Sequence, residues 1–440
     1  MSQFRKQHMP IAWHEIIESE NPVPAVNASL KEKATLIGRL GLMMLSVGTG
    51  AWRVRASMNK IARALGVTCN ADIGLLAIAY TCIGNGETYT NALSINTTGV
   101  NTDRLNYLEE FADGFQERAE KYSVEQFHHI LDKFQEMPAN YNAWNLGLAS
   151  AIACCAFTFL LGGGVVEMIC AFFGAGVGNF IRKKLLERHI TLLANVTAGV
   201  AVACSVYMIC LEIAEVLIGV SSVHQAGYIC SMLFVIPGFP LITGGIDIAK
   251  LDLRSGIERI TYALLIIAMA TLTGWITATI FKFHPSEFVE MEIEPLLKLV
   301  LRLITSFCGV YGFSLMFNSP RKMALTAGII GMIVNTIRLE LLDFTSIPVS
   351  VGAFVGALCA GLLASALKKK VGYPRITLTV PSIVIMIPGM FMYKGVYYIA
   401  LNELQTGALW LTKALFIVIS LPLGLIFARI LTDKNFRKSS

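Results

Sequence analysis

FVIPGFPLITGGIDIAK, residues 234–250, sets two prolines and three glycines inside an apolar run long enough to cross a bilayer. IMIPGMFMYKGVYYIA, residues 385–400, repeats the Ile-Pro-Gly interruption 151 positions later. Proline removes a backbone donor and clashes with the preceding turn, and glycine tolerates the dihedrals that result. In hydrocarbon the freed amides and carbonyls must find partners or line a wet cavity. A broken span therefore offers backbone to a ligand. The amide end after Pro237-Gly238 suits a carboxylate, and the carbonyls before it suit an ammonium. A kink closed by neighbouring helices is the alternative, and two breaks at matching places favour the ligand site.

The chain around these breaks is poor in charge. Of 440 residues, 55% are hydrophobic and 15% charged, against about 25% charged in a soluble protein. The shortfall lies after residue 143: the first 143 residues hold 13 Lys+Arg and 15 Asp+Glu, the rest 23 and 15. About 20 apolar residues cross a bilayer. Ten such runs follow Trp144: 145–163, 165–182, 190–218, 226–246, 258–281, 296–317, 321–338, 348–366, 376–399 and 408–430. With residue 143 inside, the inside loops carry 17 Lys+Arg and the outside loops and helix ends 5. Cytoplasmic loops are the basic ones, so both termini are expected in the cytoplasm of a cell (inner or plasma) membrane protein. The net charge of +6 comes from these short clusters and is no nucleic-acid signal. The N-terminus lacks the apolar core of a signal peptide, so cleavage is not expected.

The two breaks fall in the fourth and ninth runs, five apart. FFGAGVGNFIRKKL (172–185) likewise resembles AGIIGMIVNTIRLEL (327–341), each a glycine-patterned helix ending in Ile-Arg. A repeat of five spans re-enters the membrane upside down, the build of many secondary transporters, with substrate at the midplane between discontinuous helices. The expected fold is an α-helical polytopic membrane protein. It has about ten transmembrane helices as a 5+5 inverted repeat, with a small N-terminal α+β cytoplasmic domain. The domains are 1–143, 144–283 and 284–440. In the N-terminal region 30–65 reads as one helix, 73–83 and 88–95 as a hairpin turning at Gly84-Asn85-Gly86, and 102–115 and 123–134 as helices. The Arg53, Arg55, Lys60 and Arg63 cluster suits either anionic lipid or a solvated face.

Candidate substrate residues are those at the breaks: Pro237, Gly238, Pro240 and Thr243, with Pro381, Ser382, Pro388, Gly389 and Lys394. Thr243 and Lys394 each lie six beyond their proline, roughly 9 Å along a helix. Lys394 either snorkels outward or meets a carboxylate. Thr379 and Ser382 hydroxyls either bind substrate or satisfy kinked backbone. Candidate proton carriers are Asp247, Glu167 and Glu215, since ionisable groups within spans are costly and usually functional. Asp247 otherwise caps its helix and meets Lys250 or Arg254, and Glu167, Glu212 and Glu215 otherwise sit solvated at the interface. No catalytic motif, P-loop, C-x-x-C or zinc spacing occurs, His128-His129 included. Neither an enzyme nor a cofactor nor a metal is expected, and the ten cysteines read as packing residues.

These motifs resemble the threonine/serine exporter family over nearly the whole chain. GTGAWRVRASMNKIARALG (48–66) is similar to the family's first helix start. IPGFPLITGGIDIAKLDLRSGIERI (236–260) matches I-P-G-x-P…D…S-G-x-x-R at Pro237, Gly238, Pro240, Asp247, Ser255, Gly256 and Arg259. VPSIVIMIPGMFMYKGVYY (380–398) matches the second half at Pro381, Pro388, Gly389, Tyr393 and Gly395. The resemblance implies gradient-driven export of small hydroxy amino acids in exchange for protons, with both halves fused in one chain. Small dicarboxylates such as succinate are the alternative cargo, and a non-transporting membrane scaffold the alternative class. Protons, the lipid bilayer, a threonine or serine substrate and a homo-oligomeric partner are the implied associates.

Overall fold

The structure is a computed structural model that describes residues 11–16, 23–220, 222–283, 288 and 291–437. The chain divides into two compact units. One holds Met1–Ala139 with Ile246–Arg259, the other Asn140–Gly245 with Ile260–Ser440.

The first unit is α+β. A Ser29/Glu32 capping box opens helix α1 (Leu30–Ser46), and α2 follows at Ala51–Ala64. The expected single helix over 30–65 is thus two. Gly48 sits at φ +85°, which L side chains rarely adopt, and extended Gly50 restarts the helix as its N-cap. Strands β1 (Thr68–Ile73), β2 (Ala77–Gly84) and β3 (Glu87–Ser94) form an antiparallel sheet in that order. The expected hairpin is present, with Gly84 paired to Glu87 across Asn85-Gly86, both at positive φ. Strand β1 went unread. The apolar run from Ile73 drew the strand onto 74–76, which is the connection, while the true strand alternates polar-out and apolar-in and ends at Ile73. Helices α3 (Thr102–Asp113), α4 (Phe115–Ala119) and α5 (Val124–Glu136) complete the unit, α5 opened by a Ser123/Gln126 capping box.

Arg39, on α1, is buried and donates to the His128 carbonyl and Nδ1 on α5, and to Asp132 and Gln135. An arginine only donates, so His128 Nδ1 accepts and its proton sits on Nε2. Burial, then the Arg39 charge, push the His128 imidazole down to about 3. His14 and His129 also approach Asp132, at 2.8 and 3.6 Å. The ligand atoms of His14, His129 and Asp132 lie within 4.8 Å of one another. No spacing could show this, because His14 is 115 residues from His129 in the chain.

The second unit is helical: α6 (Ala143–Leu160), α7 (Val165–Glu187), α8 (Leu192–Ile218), α9 (Tyr228–Ser231), α10 (Gly238–Ala249), α11 (Leu253–Phe281), α12 (Pro295–Met316), α13 (Arg321–Phe344), α14 (Val349–Val371), α15 (Arg375–Val384), α16 (Gly389–Ala400), α17 (Leu404–Thr432) and α18 (Lys434–Arg437). The ends of α10 and α11 that flank their turn belong to the first unit. Among the described residues, eight helices are long and apolar enough to cross a membrane. Two bent helix pairs pass the same test when each is taken together: His224–Val235 with Gly238–Ala249 at 60°, and Arg375–Val384 with Gly389–Ala400 at 50°. All ten expected runs are helical, and the two expected breaks are the two bends. Lys438, counted among the inside cations, lies outside the described residues.

The neutral, buried His128 sets a pH window. Its folded value lies below the ordinary 6.5, so its contribution is full above that value and falls as pH drops toward 3, by about 1.4 kcal/mol per unit. The thermal midpoint of the full chain in detergent is expected to fall between pH 7.5 and 5.5, and to fall less in His128→Asn. Equal pH dependence in both proteins contradicts the assignment.

Candidate functional site

The two breaks have the same local chemistry. Gly238 N–H donates to the Ile236 carbonyl and Gly389 N–H to the Ile387 carbonyl, both at 2.8 Å. The next helical turns start alike, Leu241 N–H to Pro237 O at 3.2 Å and Met392 N–H to Pro388 O at 3.0 Å. Each Ile-Pro-Gly thus closes much of the gap it makes, which is how the chain tolerates the interruption inside an apolar bundle.

The breaks also pack on each other. A Cβ on Gly238 would overlap Ile387 and Val384, and a Cβ on Gly389 would overlap Ile236 and Leu233. Each isoleucine therefore sits where the other break's side chain would be. The space left is a cavity of about 10 Å³ lined by Phe157, Leu233, Ile236, Phe313, Val384 and Ile387. A single water needs at least that much. The expected hydrated pocket is closed here by the two isoleucines, and no amino acid fits between the breaks in this conformation.

A polar link crosses this apolar seam. Tyr228 on α9 and Tyr393 on α16 share a hydroxyl–hydroxyl hydrogen bond of 2.6 Å, and both rings are buried. Tyr393 was legible as a motif position; nothing in the sequence marked Tyr228. The other expected substrate residues are occupied locally. The Thr243 hydroxyl donates to its own helix at Phe239 O, 2.9 Å. The Ser382 hydroxyl donates to Leu378 O and to Ala327 O on α13, the backbone-satisfying role. Pro240 and Pro381 lie within α10 and α15. Lys394 does not snorkel to the protein surface: it is buried, with its ammonium 5.0 Å from the Trp410 ring centre.

The three carboxylates separate. Glu167 is 1% exposed rather than solvated at an interface. It accepts from Gly164 N–H at 2.9 Å, and its other oxygen lies 2.7 Å from His224 Nδ1. Glu215 is half-buried in the last turn of α8, and Glu212 is exposed. Asp247, at the end of α10, belongs to the first unit. Its Oδ2 accepts from the Ala51 amide and the Ser255 hydroxyl at 3.0 Å each and pairs with Arg259 at 3.2 Å. Its ion-pair partner is thus Arg259, where the capping reading looked to Lys250 or Arg254. Arg259 in turn donates to Gly48 O and Thr49 O. A Cβ on Gly50 would stand 2.6 Å from Asp247 Oδ1, so only glycine lets this carboxylate reach the start of α2. Two motifs nearly 200 residues apart, 48–51 and 247–259, are one cluster. Arg55–Asp252, Arg254–Asp72 and Glu258 to Leu75 N–H extend it. These pairings explain why 246–259 groups with the N-terminal unit. They also take Arg55 out of any free basic face.

Comparison with known proteins agrees with the motifs. A family model described as "Putative threonine/serine exporter" matches residues 35–281, and one described as "Threonine/Serine exporter, ThrE" matches 302–431. A Mycobacterium tuberculosis protein named "Probable threonine/serine exporter" is 23% identical over 90% of this chain and 75% of its own length. An Escherichia coli protein named "Probable succinate transporter subunit YjjP" is 25% identical over 54% of this chain and 90% of its own. No solved structure matches. This is a transporter family and not an enzyme class, and the chain, a multi-pass membrane protein with both matched regions in one polypeptide, belongs to the threonine/serine exporter family.

Proposed function

We propose that the protein exports threonine or serine in exchange for protons, by alternate opening of a path that the two breaks close at its centre. The observation that carries this reading is the reciprocal seat of Ile236 on Gly389 and of Ile387 on Gly238. Matched breaks with matched hydrogen bonds are what two inverted five-span repeats produce at their shared axis. Parting the breaks frees the amide ends of α10 and α16 for a carboxylate. It also separates Tyr228 from Tyr393, leaving two hydroxyls for the substrate's own hydroxyl and ammonium. The domains 144–283 and 284–440 are the two repeats, and the excess of inside Lys+Arg orients both termini to the cytoplasm.

For the proton, Glu167 fits best of the three carboxylates. It is buried within a crossing and its partner, His224, is itself titratable. Such a pair can pass a proton and change its charge without stranding a fixed cation. Asp247 has Arg259 as a permanent counterion and a set of three donors, which suits it to fastening α10. Succinate or a similar dicarboxylate is a second reading, favoured by the name of the Escherichia coli relative.

In proteoliposomes, labelled threonine efflux is expected to rise with an imposed pH gradient and to be little affected by excess succinate. The reverse competition assigns the dicarboxylate reading, and no gradient-dependent flux of either rejects transport. Glu167→Gln is expected to abolish the response to pH while threonine–threonine exchange continues; an unchanged response removes Glu167 from the proton path. Asp247→Asn is expected to keep that response and to lower the thermal midpoint, because it leaves Arg259 buried without its counter-charge, a loss of about 3–5 kcal/mol. Loss of coupling at unchanged stability makes Asp247 the carrier instead.

A further inference from the structure

We infer that Arg182 and Arg338 are a mirror-related pair of carboxylate-binding residues that receive the substrate's carboxyl group at opposite mouths of the path. The inference rests on the transport reading above and adds to it a site on each side.

The sequence Asn-x-Ile-Arg occurs at 179–182 on α7 and again at 335–338 on α13. The structure repeats the helices contacted as well as the letters. Asn179 Nδ2 donates at 2.9 Å to Leu146 O on α6, the preceding crossing. Asn335 Nδ2 donates at 2.8 Å to Ser306 Oγ on α12, again the preceding crossing. The arginines lean the other way, each onto a glycine of the following crossing. Arg182 Cβ lies 3.0 Å from where a Gly199 Cβ would stand on α8, and Arg338 Cβ 3.6 Å from that point at Gly356 on α14. Two helices with the same three letters at one spacing can arise by chance; the same letters reaching the preceding and the following helix in the same way mark corresponding positions.

Neither arginine has a hydrogen bond or ion pair among the described residues, and Arg338 Nε is buried without a partner. Nearby acids are otherwise engaged. Arg302 pairs with Glu340 and Asp343 at 2.8 Å each, and Lys298 takes Asp343 at 2.8 Å. Cations within crossings are costly and pair with a carboxylate or line a path. A planar guanidinium is the group whose fork matches a carboxylate in two parallel hydrogen bonds. Arg338 also stands beside the second break. Met386, the residue before Ile387-Pro388-Gly389, brings its sulfur to 2.9 Å from the same Gly356 point. With the termini inside, α7 runs toward the cytoplasm and α13 away from it. Arg182 then lies toward the inner mouth and Arg338 toward the outer. Both threonine and succinate carry the carboxylate such a pair receives.

The test uses the full chain in phosphatidylcholine proteoliposomes with labelled threonine and succinate. Wild-type protein that moves neither counts against the transport reading and not against this pair. Given wild-type flux, Arg182→Gln is expected to raise KM about 10-fold or more for substrate on the cytoplasmic side and Arg338→Gln for substrate on the outer side, with Lys variants intermediate. Substrate methyl ester, which lacks the anion, is expected to compete weakly with wild type and no worse with either Gln variant. Unchanged KM on both sides, or equal loss of acid and ester affinity, overturns the assignment. Should a variant misfold, phenylglyoxal labelling of the wild-type protein decides. Threonine or succinate is expected to protect Arg182 and Arg338 from modification; protection by added anionic lipid alone, or none, overturns it.

Discussion

The contact on which the membrane unit depends is the exchange of isoleucine for glycine at the two breaks. Ile236 fills the space above Gly389 and Ile387 the space above Gly238. Neither seat exists without the other helix being interrupted at the same level. Each break sets glycine at the first residue of the helix that follows, and its bare Cα is the surface onto which the opposite isoleucine closes. The seal is therefore dispersion between apolar groups at close range, which forfeits much of its attraction with a gap of 0.5–1 Å. Such a contact is either shut or open, with little between.

Several polar groups near the seam are paired across or beside it. The glycine amides return to the isoleucine carbonyls two residues back, and Ser382 bridges to α13. Tyr228 and Tyr393 satisfy each other. From the first break α10 runs twelve residues to Ala249, and Asp247 near its end is fixed by Ala51, Ser255 and Arg259.

Much of this was legible in the sequence, for a physical reason: lipid forces apolar length and backbone pairing to coincide. The eight long apolar helices, the two bent pairs and the Asn-Gly hairpin all follow from local pattern. What the sequence hid is pairing across distance. His224 beside Glu167, Tyr228 beside Tyr393 and the first motif beside Asp247 are contacts between residues 57, 165 and nearly 200 positions apart. Period and composition carry no trace of them. Local reading also failed where two strong signals competed. The run 74–76 is apolar enough for a strand yet forms a connection, and the helical pattern over 30–65 conceals a turn made by Gly48 and Gly50. Among the candidate residues, the Pro-Gly pairs of the two breaks were readable because they interrupt an apolar helical run. The hydroxyls of Thr243 and Ser382 were not, because whether a hydroxyl serves ligand or backbone is decided by neighbours.

The most direct measurement locks the seam. In a background otherwise free of cysteine, Ile236→Cys with Gly389→Cys places two thiols across the closed contact, where oxidation or a mercuric ion can join them. The account predicts that the cross-linked protein in proteoliposomes carries no substrate and that reductant restores flux to the level of the unlinked variant. Full transport while the two breaks remain joined would contradict it.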